Sequence, residues 1–277
     1  MFRMKLLFSQ KKIMKNIRKN DKANHTEKRK AENNQNQVAN SLTRLNKFIA
    51  NAGVCSRREA DKLIASGMVK VNGVTVSEMG QKVGAGDKVE FDGKILQQER
   101  KYYLLLNKPK GFITTTDDPY ERKTVMSLIK NACNARLYPV GRLDMATTGL
   151  LLFTNDGELA KKLIHPKHSV KKIYHVVLDK KLTKNDMLKI SEGFDLEDGP
   201  IKVDDIAYVS GAENKKEVGV QLHSGRNRII RRLFEELGYR VVRLDRVSFA
   251  GLTKKDIPRG KWRHLTQKEI SYLKMLK

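Results

Sequence analysis

Gly141-Arg142-Leu143-Asp144-Met145-Ala146-Thr147-Thr148-Gly149-Leu150-Leu151-Leu152-Phe153-Thr154 decides how the chain is read, because it carries a carboxylate, beside an arginine, to the threshold of an apolar run. Leu150 to Phe153 predict a short strand covered on both faces, and Thr147, Thr148 and Gly149 suit the turn before it. Asp144 is therefore expected on a loop held by a rigid element, which is where catalytic groups concentrate. Taken alone, Arg-Leu-Asp is more often a loop aspartate in a surface ion pair with Arg142. The surrounding sequence reverses that balance.

Working outward, Tyr102–Leu106, Leu137–Val140, Ile173–Leu178, Val218–Leu222 and Val241–Val247 read as further strands. Helical signals fall at Thr124–Asn131, Glu158–Ile164, Thr183–Gly193 and Asn227–Leu237. Strands and helices do not alternate regularly, so an α+β fold with a largely antiparallel sheet is expected over residues 102–277.

Upstream, Leu45, Phe48, Ile49 and Ala52 recur at helical spacing and stop at Gly53. Ser56-Arg57-Arg58-Glu59 has the spacing of a capping box and opens a second helix, with Ala60, Leu63 and Ile64 inward and Gly67 as terminator. Val69, Val71, Val74 and Val76 alternate around Asn72-Gly73, a strong hairpin signal, and Asp87–Phe91 supplies another strand. Residues 41–96 thus predict a helix-turn-helix-hairpin domain with Arg44, Lys47, Arg57, Arg58, Lys62 and Lys70 turned outward, and 97–101 a polar linker. Residues 1–40 hold eleven basic and three acidic residues and few apolar ones after Ile17, as expected of a disordered basic arm.

A formal charge of +25 over 277 residues points to a polyanionic partner, nucleic acid above all. No apolar run approaches the roughly 18 residues of a spanning helix, so no membrane attachment is expected. Cys55 and Cys133 lack partner or metal-ligand spacing and read as ordinary thiols in a reducing cytoplasm; the six histidines form no ligand pair, so no metal is expected. Met1–Gln10 has too short an apolar run for a signal-peptide core.

Four blocks in order resemble the bacterial ribosomal-RNA pseudouridine synthases of the RsuA/RluB/RluE/RluF family: Leu106-Asn107-Lys108-Pro109-Lys110-Gly111, the Gly-Arg-Leu-Asp block continuing to His165-Pro166, Lys172-Ile173-Tyr174-His175-Val176, and Val220-Gln221-Leu222-His223-Ser224-Gly225-Arg226-Asn227-Arg228 running on to Arg232. The N-terminal unit resembles the S4 RNA-binding domain, which reads RNA shape and phosphates more than bases. Gly-Glu-Leu-Ala near His165-Pro166, and Pro258-Arg259-Gly260-Lys261-Trp262, look most like the RluB-type large-subunit enzymes.

The resemblance implies that a uridine in rRNA, most closely 23S rRNA or a large-subunit precursor, is flipped out and isomerised without a cofactor, in the cytoplasm, by a monomer with no obligate protein partner. Asp144 matches the family's essential aspartate, acting at C1′ as a nucleophile or on the 2′ proton, and Arg228 matches the arginine that pairs with it. Tyr174 matches the tyrosine that stacks on the base, and Leu222 the apolar residue on the opposite wall. Arg142 resembles the residue that fills space where the nucleotide leaves the stack. Lys108, Arg226, Arg231 and Arg232 are assigned to RNA contacts, with Arg44, Lys47, Arg57, Arg58 and Lys62 on the S4-type unit. Ser224 and Arg226 stand where relatives often carry Glu and Lys, and Ile229-Ile230 where Gln-Ile is frequent. The alternatives are a synthase for 16S rRNA or tRNA, and a non-catalytic RNA-binding protein of ribosome assembly.

Overall fold

The computed structural model describes residues 42–209 and 215–276, so the expected basic arm lies outside the described residues. The chain separates into two compact units, dividing between Glu99 and Arg100.

In the first unit, β1 (Thr43–Arg44) leads into α1 (Leu45–Asn51), and α2 (Arg57–Ala65) follows a tight turn. The capping box at the start of α2 is complete: Glu59 N–H donates to Ser56 Oγ, and Ser56 N–H donates to the Glu59 carboxylate. The hairpin β2 (Val69–Val71) and β3 (Val74–Val76) turns at Asn72 (φ 52°) and Gly73 (φ 82°), left-handed values that asparagine and glycine tolerate. β4 (Lys82–Val83) pairs with β1, while β5 (Val89–Phe91) pairs with β2 and with β6 (Lys94–Ile95). Leu45, Ile49, Ala60, Ile64, Val69 and Val89 fill the core.

The second unit is built on one nine-stranded sheet. Its elements are β7 (Tyr103–Lys108), β8 (Tyr138–Pro139), β9 (Thr148–Thr154), α3 (Gly157–Ile164), β10 (Lys172–Leu178), α4 (Lys184–Glu192), the hairpin β11 (Phe194–Leu196) and β12 (Gly199–Ile201), β13 (Asp205–Tyr208), β14 (Glu217–Leu222), α5 (Ile229–Glu236), β15 (Val241–Phe249), β16 (Leu252–Thr253), β17 (Trp262–His264) and α6 (Gln267–Met275). The sheet runs β13-β14-β10-β15-β9-β7-β17, with β8 on β9 and β16 on β15. Every pair is antiparallel except β9 with β15, so the unit is α+β.

β7 and β9 are apolar throughout their centres because both faces are covered. Leu105, Leu150 and Leu152 pack with α3, while Leu104, Leu106, Leu151 and Phe153 face a second cluster around Val125 and Leu143. The helix expected over Thr124–Asn131 is instead a short 3-10 turn, Val125–Leu128. Its start is tied into loop pairing, with Ile113 N–H donating to Lys123 C=O and Val125 N–H to Ile113 C=O, which leaves too few residues for an α-helix. Among the described residues no helix is long and apolar enough to cross a membrane.

Candidate active site

Asp144 lies on the loop between β8 and β9, and that loop is fastened from below by Lys108. The Lys108 side chain, 0% exposed at the end of β7, sends its ammonium to the carbonyls of Thr147 (2.8 Å), Asp144 (3.1 Å), Pro109 (3.1 Å) and, more loosely, Met145 (3.4 Å). An ammonium has three donors, so these carbonyls consume all of them. Burial pushes Lys108 down to about 8, against the pull of Asp144 and helped by Arg259, so at neutral pH it is mainly charged. Lys108 was expected on the RNA and is not there; the alternation of β7 turns it inward with Leu104 and Leu106.

Further bonds fix the same loop. Gly111 N–H donates to Met145 C=O, and Thr114 Oγ1 donates to Leu143 C=O at 2.7 Å. Gly149 (φ 107°) closes it: a Cβ there would stand 2.3 Å from the carbonyl oxygen of Arg246, so only glycine lets β9 lie against β15.

The Asp144 carboxylate stands 3.9 Å from an Arg228 Nη1, with side-chain exposures of 38% and 47%. This is a loose, solvated pair at the cavity mouth. Arg228 caps α5 in a left-handed conformation (φ 46°) and also reaches Glu235 of that helix at 3.9 Å.

Between these groups is a cavity of about 170 Å³ lined by Asp144, Arg228, Tyr174, Lys172, Leu143, Ile230 and Arg246 among others. That is well below the roughly 300–1,000 Å³ of pockets for drug-sized ligands, and suits one planar base. It shares Arg142, Asp144, Gly225, Arg226 and Arg228 with a wider groove of about 730 Å³ that Thr114–Thr116 and Met145 border. Arg142 is exposed at that border. Lys172 donates to His223 C=O at 2.6 Å, and burial, reinforced by Arg246, pushes its ammonium down to about 8.

Tyr174 lines the cavity with its back on the core formed by α5 and β14. Leu222 does not line it: 2% exposed, it belongs to that core, behind the wall it was expected to form.

The three other arginines assigned to RNA in this unit are engaged within the protein. Arg231 is 9% exposed and donates to Val241 C=O at 2.9 Å, because its position on α5 falls on the buried face. Arg226 and Arg232 both grip Asp198, Arg226 also donating to the carbonyls of Gly199 and Pro200. Hydrogen bonds from Arg226 and then Arg232 hold the Asp198 carboxyl well below the usual range. In the first unit, by contrast, Arg44, Arg57, Arg58, Lys62 and Lys70 are exposed and Lys47 is half-buried. Arg57 and Arg58 occupy the first turn of α2, where the helix dipole disfavours cations, so helix stability does not explain them. The sequence reading missed the bond of Asn46 Nδ2 to the Asp61 carboxylate (2.9 and 3.0 Å), which clasps α1 to α2.

Both units match known proteins. Residues 102–236 match the RNA pseudouridylate synthase family profile, and residues 43–89 match the S4 domain. The chain is 42% identical over 241 residues to the ribosomal large subunit pseudouridine synthase B of Bacillus subtilis, spanning 85% of this chain and 97% of that one. It is 40% identical over 232 residues to an uncharacterised RNA pseudouridine synthase of Aquifex aeolicus, with 83% and 93% covered. A crystal structure of a pseudouridylate synthase superposes with a TM-score of 0.60 at 31% identity, covering 83% of this chain and 99% of that one.

Proposed function

The chain belongs to the RNA pseudouridylate synthase family, and from that premise we propose that it isomerises one uridine of large-subunit 23S rRNA, with Asp144 as the essential carboxylate. The observation that carries the reading is a lone carboxylate facing an arginine at the mouth of a base-sized cavity.

The reaction breaks the C1′–N1 bond, turns the uracil and joins C5 to C1′. It is redox-neutral and transfers nothing to or from a donor, so the residues must supply position and charge. The uridine has to leave the RNA stack to enter so small a cavity. Asp144 then acts at the sugar, as nucleophile at C1′ or as base toward the 2′ proton. Arg228 sets a positive charge beside the carboxylate, and Tyr174 offers its ring to the base. Arg142 takes the place at the groove border that the nucleotide vacates. The exposed cations of the S4 unit carry affinity through phosphates, which positions the enzyme without reading sequence. The large-subunit assignment rests on the names of the relatives.

Asp144→Asn tests the reading. The purified variant is expected to lose conversion by about 10³-fold or more while binding rRNA as tightly as the parent. The target is tested by carbodiimide-blocked primer extension on rRNA from cells lacking the gene: a single stop should disappear from 23S rRNA and return with the wild-type chain only. Appreciable turnover by Asp144→Asn, or loss of a stop from another RNA, contradicts the corresponding half.

A further inference from the structure

One more cation lines the cavity, and its donors are not all used. Arg246 lies on β15 directly opposite Tyr174 on β10, and opposed residues on neighbouring strands project to the same face of a sheet. Its residue is 3% exposed. Nε donates to Leu150 C=O at 2.8 Å, and the guanidinium carbon sits 4.7 Å from the centre of the Phe249 ring. Nη2 is buried with no hydrogen-bond partner, and Thr147 Oγ1, on the same cavity wall, is likewise unpartnered.

A buried donor without an acceptor is destabilising, the more so when charged. Folds keep such groups where something else completes them. The guanidinium cannot easily turn away, because Gly149 presses on the backbone of residue 246 and Leu150 and Phe249 hold its two sides.

We propose that Arg246 is a catalytic residue whose Nη2 donates to the uracil carbonyl oxygen on which negative charge collects as the base leaves the sugar. The inference rests on the reading of Asp144 given above. When the C1′–N1 bond breaks, its electron pair goes to N1 and resonance spreads the charge onto O2 and O4. C1′ meanwhile forms an ester with Asp144, or the 2′ proton passes to Asp144 and a C1′–C2′ double bond forms. On return C5 bonds to C1′, and the ester bond breaks or the 2′ proton comes back. The C5 proton departs and N1 gains one, so no co-reactant is needed. A donor fixed where charge develops stabilises that stage without reorganising. Lys172 gives its ammonium to the carbonyls of His223 and, more loosely, Ser224, and Arg228 is half-exposed, so Arg246 is the most buried of the three cations. A backbone phosphate is a poorer match, since so buried a guanidinium faces what enters the cavity rather than what crosses its rim.

The test compares single-turnover rates of Arg246→Met and Arg246→Lys on large-subunit rRNA transcripts made with uridine or with 5-fluorouridine, products being resolved by chromatography and mass spectrometry after digestion to nucleosides; 5-fluorouridine has no C5 proton to lose, so its C5-linked, fluorine-bearing product is read in place of pseudouridine. Fluorine makes the leaving base more acidic, so it needs less help. Arg246→Met should lose about 100-fold or more on uridine, at least tenfold less on 5-fluorouridine, with RNA affinity unchanged and Arg246→Lys intermediate. A variant that folds poorly loses both substrates alike, so the ratio between them is unaffected by folding. Equal losses on the two substrates, or an unimpaired Arg246→Met, overturn the role. Turnover by Asp144→Asn instead overturns the reading beneath it, and the two failures are told apart.

Discussion

The cations of the two units are used in opposite ways. In residues 42–99, Arg44, Arg57, Arg58 and Lys62 stand in solvent, two of them where the helix dipole is unfavourable. In residues 100–277, Lys108, Arg231 and Arg246 are buried against backbone carbonyls, and Arg226 and Arg232 are tied to one carboxylate. A high net charge therefore overstates the electrostatic footprint on RNA. In one unit the basic residues stand at the surface; in the other most of those singled out are internal fasteners.

The sharpest way to break this contrast is Lys108→Met. It leaves the carbonyls of Asp144 and Thr147 without their donor, and should cost about 2–4 kcal/mol of stability and most of the activity, seen in denaturant unfolding and in turnover. An enzyme with normal stability and weakened RNA binding would return Lys108 to the RNA contacts.

Next in size is a pair of variants. The triple change Arg57→Ala, Arg58→Ala, Lys62→Ala should lower rRNA affinity about tenfold and flatten the slope of log affinity against log salt by about 2, with the melting temperature unmoved. Arg231→Met should do the reverse, lowering the melting temperature without touching the slope. Titrations at several salt concentrations, with thermal melts alongside, decide it; identical behaviour of the two variants would dissolve the contrast.

The smallest effect is expected from Asp198→Asn, which releases Arg226 and Arg232 from their shared carboxylate. RNA binding should tighten a few-fold and the salt slope steepen by about 1. Unchanged binding would mean that the carbonyls of Gly199, Pro200 and Asn227 hold the two arginines by themselves.

Much of the scaffold was legible because its signals are local. The capping box at Ser56, the Asn72-Gly73 turn and the run Leu150–Phe153 each specify their element within a few residues. Asp144 was singled out by the four ordered blocks around it, since its local sequence alone reads as a surface ion pair. What escaped depends on partners far along the chain. Lys108 meets Asp144 from 36 positions away and Arg226 meets Asp198 from 28, and nothing in the residue type separates a lysine that grips carbonyls from one that grips phosphate. Arg246 was hidden inside a strand pattern, its role visible only once β15 lies between Tyr174 and Gly149. The hairpin β11–β12, the edge strand β17 and α6 went unread, although Thr266 and Glu269 form a capping box like the one at Ser56.

The Lys108 ammonium does for this loop what a bound potassium ion could do for a ring of carbonyls, with one difference. Being covalently attached, it has no dissociation constant and no competitor in solution, and a charge so deeply buried is little reached by mobile ions. The loop that carries Asp144 is thereby insulated from the ionic composition that governs attachment to RNA. Raising salt should detach the protein from its substrate long before it disorders the machinery, so the molecule keeps an intact reaction centre through every cycle of landing and release.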